Sequence, residues 1–268
     1  MKSQSSSAQY MILPDAMDLL IARYAHQEFA LHFHETFTFG VIESGICHFR
    51  RSDAQYVARP GDLFVIHPFE LHTGSAAVEG LQYRVIYPSA DWIESILPSS
   101  YNGQLPYFPR AVYRVPEAED LRLSIQVIAE SPTSRDMDLA AVGRNLTAII
   151  ESCSREMRHF KASSDADSRV GAACQFIQNT HIEVSFGDLA ARLGLNRYYL
   201  HHLFRRTLGL TPGAWSRTVR LSQAKYMIQA GLSLADTAIE ARFSDQSHLT
   251  REFKRVYGVT PGQVRTIT

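Results

Sequence analysis

The sequence predicts an α+β chain with two unlike parts. The first is an N-terminal β-barrel followed by helices; the second is a C-terminal all-α domain in which a long helix joins two helix-turn-helix units. Three observations carry that prediction. Short apolar runs, interrupted by turn residues, fill residues 16 to 90. One helical pattern occurs twice between Ser185 and Gly262. The charge is also divided: 13 Lys+Arg face 6 Asp+Glu from Arg169 to Thr268, whereas residues 1 to 168 hold 14 and 21. A net charge of zero over 268 residues therefore hides a basic domain on an acidic one, and only the basic part suits a polyanion.

At the N-terminus, MKSQSSSAQY has no apolar core, so it is no secretory signal and reads as a frayed polar tail. The stretch LHFHETFTFGVIESGICHFRRSDAQYVARPGDLFVIHPFELHTG then alternates apolar and polar residues. Gly45, Pro60-Gly61-Asp62 and Pro68 punctuate it, and Leu81 to Tyr87 adds a further strand. Regular short strands of this kind close into a barrel or sandwich. Asp91 to Leu97 reads as a short helix before a Pro- and Tyr-rich loop, PSSYNGQLPYFPR. Glu117 to Glu130 and Asp136 to Phe160 read as helices separated by Pro132. In the second of these, Leu139, Val142, Leu146, Ile149, Ile150 and Cys153 keep a 3-4 spacing. That stripe fits either packing on a neighbour or an antiparallel seam between two copies. KASSDADSR, Lys161 to Arg169, has linker composition and divides residues 1–160 from 170–268.

The repeat reads DLAARLGLNRYYLHHLFRRTLGLTPG from Asp188 and TAIEARFSDQSHLTREFKRVYGVTPG from Thr237. Its first helices match at an offset of 48 and its second helices at 49, so the one inserted residue falls in the turn. Ser185-x-x-Asp188 and Ser233-x-x-Asp236 resemble capping boxes, and Asn196 and Ser244 are placed to cap the second helices. Thr211-Pro212 and Thr260-Pro261 each start a further helix. Leu200, Leu203, Phe204 and Leu208 in one copy, and Leu249, Phe253 and Val256 in the other, form inward stripes.

The opposite faces carry Arg197, Tyr198, His201, His202 and Arg205, and then Gln246, Ser247, His248, Thr250, Arg251, Lys254 and Arg255. Long polar side chains on a second helix are what reads a major groove, so these twelve are the candidate contacts to double-stranded DNA. Tyr198, His201, His202, Gln246 and Arg251 are assigned to bases. Arg205, Lys254 and Arg255, later in their helices, are assigned to phosphates or flanks. The helix from Pro212 to Ala230, with Trp215, Val219, Ala224, Met227 and Ile228 as core, ends at Gly231. At ~1.5 Å per residue it spans roughly 28 Å, enough to hold two readers about one DNA turn apart.

SLADTAIEARFSDQSHLTREFKRVYGVTPGQVR resembles the signature of the AraC/XylS family of transcription regulators, and the resemblance runs from about Arg169 to Arg265. Arg242 departs from it, standing where the family often has the turn glycine. HFHE, the Pro60-Gly61-Asp62 turn and Glu70-Leu71-His72 are similar to the cupin-like N-terminal effector domain of many such regulators. The resemblance implies a cytoplasmic, one-component regulator that is not an enzyme and needs no cofactor or membrane. It implies promoter DNA, a small-molecule effector and RNA polymerase as partners, activation as the outcome, and a homodimer through the N-terminal part.

In metal cupins a His-x-His pair, a glutamate a few residues on and a later histidine point into the barrel. His32, His34 and His72 match that pattern, but Thr38 and Phe39 stand where the glutamate belongs. Glu35 points the opposite way by alternation, and Glu43 lies too far along. The sequence therefore predicts no metal, although three histidines alone can hold Zn²⁺. His32, His34, His72 and Phe39 are the candidate effector-binding residues; the histidines can also bond one another or simply pack. Two rival readings are a metal-dependent cupin enzyme with a DNA-binding tail, and an effector-free regulator whose barrel serves dimerisation only. Cys47, Cys153 and Cys174 have no metal spacing and read as reduced, buried thiols.

Overall fold

The computed structural model describes residues 6–13, 17–51, 54–97, 104–130, 135–158, 168–180 and 185–266. The N-terminal strands are β1 (Ser7–Leu13), β2 (Met17–Tyr24), β3 (Glu28–His32), β4 (Thr38–Arg51), β5 (Ala54–Ala58), β6 (Leu63–Ile66) and β7 (His72–Pro88). After α1 (Ala90–Ile96) come the short strands β8 (Leu105–Tyr107) and β9 (Val112–Tyr113), then α2 (Glu117–Glu130), α3 (Arg135–Cys153) and β10 (Glu156–Arg158). The C-terminal helices are α4 (Ser168–Asn179), α5 (Phe186–Arg192), α6 (Arg197–Leu208), α7 (Pro212–Gln229), α8 (Leu234–Glu240) and α9 (Gln246–Tyr257). A single 3-10 turn, Pro261–Gln263, leads into β11 (Val264–Thr266).

The large sheet runs β11-β1-β2-β7-β4-β6-β9, with β3 on β7 and β5 on β4. Every pair in it is antiparallel except β1 with β11. The long strands β4 and β7 pair in three runs, separated by register shifts between Ile42 and Ser44 and between Gly45 and Cys47. Such bulges bend a pair of strands. Gly45 makes this one possible: its φ is 77°, and a Cβ there would overlap the Gly80 carbonyl.

Strand alternation divides the core. Leu19, Leu63, Val65 and Ile86 face one way and pack under α2 and α3, against Leu121, Ile125, Val142 and Leu146. Leu20, Phe64, Ile66, Val85 and Tyr87 face the other way and share a cluster with Leu221, Ala224, Leu249, Phe253 and Tyr257 of α7 and α9. The inner face of the sheet is thus closed by the C-terminal helices. A third cluster, from α4, α5, α6 and the start of α7, forms around Leu200, Phe204 and Trp215.

Three expectations are corrected here. The polar N-terminus is a strand from Ser7 onward, because β1 finds partners on both sides. The helix expected to reach Phe160 stops at Cys153; Arg155 donates to the Tyr107 carbonyl (3.1 Å) and β10 pairs with β8 instead. Thr260-Pro261 opens one 3-10 turn, boxed by Gln263, and not a helix, since β11 is drawn into the sheet beside β1. The linker expected at 161–169 falls, for residues 161–167, outside the described residues. Cys47, Cys153 and Cys174 are free and buried. Among the described residues no helix is long and apolar enough to cross a membrane.

Candidate nucleic-acid interface and effector pocket

The two helix-turn-helix units are built alike, hydrogen bond by hydrogen bond. Ser185 accepts from the Asp188 N–H and Ser233 from the Asp236 N–H. In the first turn Leu195 N–H donates to the Ala190 carbonyl; in the second Phe243 N–H donates to Ala238, both at 2.8 Å. Gly194 takes φ 66° in the first turn, and Arg242 takes φ 60° at the matching place in the second. Left-handed backbone costs a non-glycine residue roughly 1–2 kcal/mol. The Arg242 carbonyl repays part of this by accepting from the Arg220 guanidinium, which also lies over Phe243. Asn196 caps α6 as expected. Asp245, not Ser244, caps α9: its carboxylate accepts from the His248 N–H at 2.7 Å, while Ser244 bonds the His248 ring.

The exposed faces of α6 and α9 then fall into register at the offset of 49. Arg197 matches Gln246, Tyr198 matches Ser247, His202 matches Arg251, and Arg205 matches Lys254; all eight are exposed. Arg206, exposed and equivalent to Arg255, was not among the expected contacts, although the same offset points to it. Two expected contacts are turned aside. His201 sits edge-on to Phe186 of α5, with its Nε2 buried and without a hydrogen bond. His248 is tied to Ser244 and packs edge-on to Phe243, so its ring serves the turn. Thr250, on the same flank as His201, is half-buried.

The inner face of the sheet encloses a cavity of about 60 Å³. Phe29, Phe49, Phe64 and Val85 give it apolar walls, and Val256 of α9 closes one side. His32, His34 and His72 line it together, as does Thr38, whose buried Oγ1 has no hydrogen-bond partner. Phe39 does not belong here. Neighbouring residues of a strand point to opposite faces, so Thr38 takes the cavity and Phe39 enters the core beside Phe37 and Phe108.

His32 Nδ1 lies 2.6 Å from the Ala30 carbonyl and His72 Nδ1 lies 2.9 Å from that of Glu70. His32 Nε2 is 3.1 Å from His34 Nε2. Burial, reinforced for His32 and His34 by the neighbouring rings, pushes all three imidazoles below the ordinary histidine value, so they are neutral at pH 7. Burial also pushes the Cys47 thiol, on the same wall, up to about 12.

Four contacts join the pocket's surroundings to the readers. Tyr24 donates its hydroxyl to the Gly258 carbonyl at 3.0 Å, at the end of α9. Lys225 of α7 forms a buried ion pair with Asp18, which also accepts from the Tyr10 hydroxyl at 2.7 Å. Phe33 packs on Trp215. β11 extends the sheet at β1.

Residues 189–267 match the family model of a helix-turn-helix domain, and residues 16–166, more than half of the chain, match that of the AraC-like ligand binding domain. The chain belongs to the AraC family. It is a helix-turn-helix transcription regulator with an N-terminal ligand-binding domain. This AraC-family chain is similar to the HTH-type transcriptional regulator YbfI of Bacillus subtilis (strain 168), at 31% identity over 229 residues, 83% of this chain and 82% of that one. It is similar to the arabinose operon regulatory protein of Escherichia coli (strain K12), at 28% over 225 residues, covering 79% and 74%. The crystal structure of ToxT from Vibrio cholerae O395 superposes with a TM-score of 0.56, covering 98% and 97% at 14% identity. That likeness is one of fold.

Proposed function

We propose that this regulator reads promoter DNA with α6 and α9 together, and that a small molecule in the barrel pocket sets the affinity. The observation that carries the reading is the match between the two exposed faces at one offset, on which the only large exposed aromatics among the described residues are Tyr198 and Tyr199 at the start of α6. Arg197, Tyr198, His202, Gln246, Ser247 and Arg251, early in their helices, meet base edges; Arg205, Arg206, Lys254 and Arg255 meet phosphates. The connecting helix α7 has 18 residues, and at ~1.5 Å per residue it is about 27 Å long. The readers therefore address successive major grooves on one side of the duplex, or bend it toward the protein.

The effector acts through the shared wall. The face of α9 opposite its DNA-reading residues covers the cavity, so a ligand that favours one seating of α9 shifts the population competent for DNA. We assign the histidine trio to the effector and drop Phe39. The regulator works in the cytoplasm as an activator that contacts RNA polymerase. Val142, Leu146 and Ile149 of α3 are consumed in the core, which leaves any homodimer seam to the outer groove where Leu139 meets Trp92 and Ile96.

Selection of random DNA by the purified full-length protein, without added ligand, tests the double reader. Two short motifs about one helical turn apart support it. A single motif means that only one recognition helix reads bases, and the assignment to the other helix is then wrong.

A further inference from the structure

We propose that His32, His34 and His72 meet the effector through a divalent transition metal of the zinc type, with the fourth coordination position open to the pocket; this rests on the assignment of the trio to the effector. Their ligand atoms all lie within 4.8 Å of one another. The Nδ1 atoms of His32 and His72 are committed to backbone carbonyls, which sets their tautomer and leaves the Nε2 lone pairs facing inward. Carbonyl partners of this kind are how metal-binding imidazoles are aimed. Around an ion held at ~2.0–2.1 Å, tetrahedral nitrogens stand roughly 3.3 Å apart. The His32–His34 pair is already at 3.1 Å, and the widest pair needs to close by no more than about 1.5 Å. His32 and His72 are cross-strand neighbours on β3 and β7, so two of the three ligands stand on paired backbone.

Two further observations point to an occupant. The cavity measures about 60 Å³, several times the roughly 10–15 Å³ that one water-sized group needs. Thr38 Oγ1 is buried, has no hydrogen-bond partner and lines the same cavity, so it can bond a water or small anion in the fourth position. The nearby cation, Lys225, is already paired with Asp18. The missing glutamate, which removed the metal from the sequence reading, removes one ligand of four and leaves a three-histidine site with exchangeable ligation.

Full-length protein stripped with a chelator and titrated with Co²⁺ tests this by visible absorption and equilibrium dialysis. The expected result is one Co²⁺ per chain with the intense bands of a four-coordinate ion, displaced by Zn²⁺. His34→Ala and His72→Ala should each weaken binding by more than the roughly 10–100-fold that loss of an outer partner costs. The exposed His48→Ala should leave it unchanged. Circular dichroism of each metal-free variant checks folding; if one variant fails to fold, the other decides. No four-coordinate spectrum in the wild type, or a spectrum undiminished in the folded variants, overturns the site. DNA selection is read separately, so failure here leaves the promoter-binding reading standing.

Discussion

The ring of Phe33 lies against that of Trp215, with centroids 4.2 Å apart and planes inclined at 32°. Phe33 is 2% exposed and belongs to the core of the first helix-turn-helix unit, not to the barrel from which it comes. Its neighbours His32 and His34 point the other way, into the cavity. One tripeptide therefore touches the pocket on one side and the first reader on the other. Removing the ring as Phe33→Ala should cost about 3–5 kcal/mol in urea unfolding, the usual range for a buried phenylalanine. A loss under about 1 kcal/mol would show that the first unit does not depend on this contact.

Gly209 and Gly258 end the two recognition helices with nearly the same backbone, φ 70° and 74°. A Cβ at Gly209 would meet nothing within 4 Å, whereas one at Gly258 would overlap the Tyr24 hydroxyl. Gly209→Ala should therefore cost only the left-handed strain, about 1–2 kcal/mol. Gly258→Ala should cost more and also release α9 from the sheet, seen as faster proteolysis between the two parts. Equal effects at both positions would refute the docked arrangement.

Lys225 and Asp18 are nearly enclosed at the junction of α7 and β2. Burial alone would lower the lysine's pKa, but attraction to Asp18 outweighs it and holds the pKa above the ordinary value. Lys225→Met leaves the carboxylate buried and unpaired, and should destabilise by about 3–5 kcal/mol. The double variant with Asp18→Leu should recover most of that loss in thermal unfolding. If the double variant is as unstable as the single one, the pair is not what the junction needs.

On the DNA face, Arg251→Ala should cost roughly 1–3 kcal/mol and relax selection at one base pair. Lys254→Ala and Arg206→Ala should instead weaken all sequences alike and flatten the salt dependence by about one unit each. Binding titrations at several salt concentrations separate the two behaviours. A change of preferred sequence in Lys254→Ala would reverse the assignment of bases and phosphates.

The local grammar of the helices was legible. Ser185, Asn196, Thr211 and Ser233 cap where a short polar side chain precedes an apolar pattern, because capping depends on three or four adjacent residues. Asp245 and Ser244 are both good caps, and choosing between them needed the inserted residue to be placed. The resemblance to cupins pointed to the pocket histidines, but nothing in the sequence set the phase of β4 beyond them: Thr38 or Phe39 faces the cavity according to where β4 begins to pair. The strands at the two ends were illegible. β1 is polar at its start and is a strand because β2 pairs along all of it, and β11 is three residues long and is a strand because β1 stands beside it. The seating of Phe33 among helices nearly two hundred residues away is equally non-local.

The pairing of Tyr10 with Val264 sets an order of assembly. At the ~5–20 residues per second of synthesis, the first strand waits on the order of ten to fifty seconds before its outer neighbour has been made. Through that interval the nascent sheet keeps an open edge, and its inner face lacks the α7 and α9 side chains that later cover it. The reader of DNA thus also completes the folding of the sensor, and a ribosome stalled before residue 264 would present a barrel that invites chaperones or aggregation.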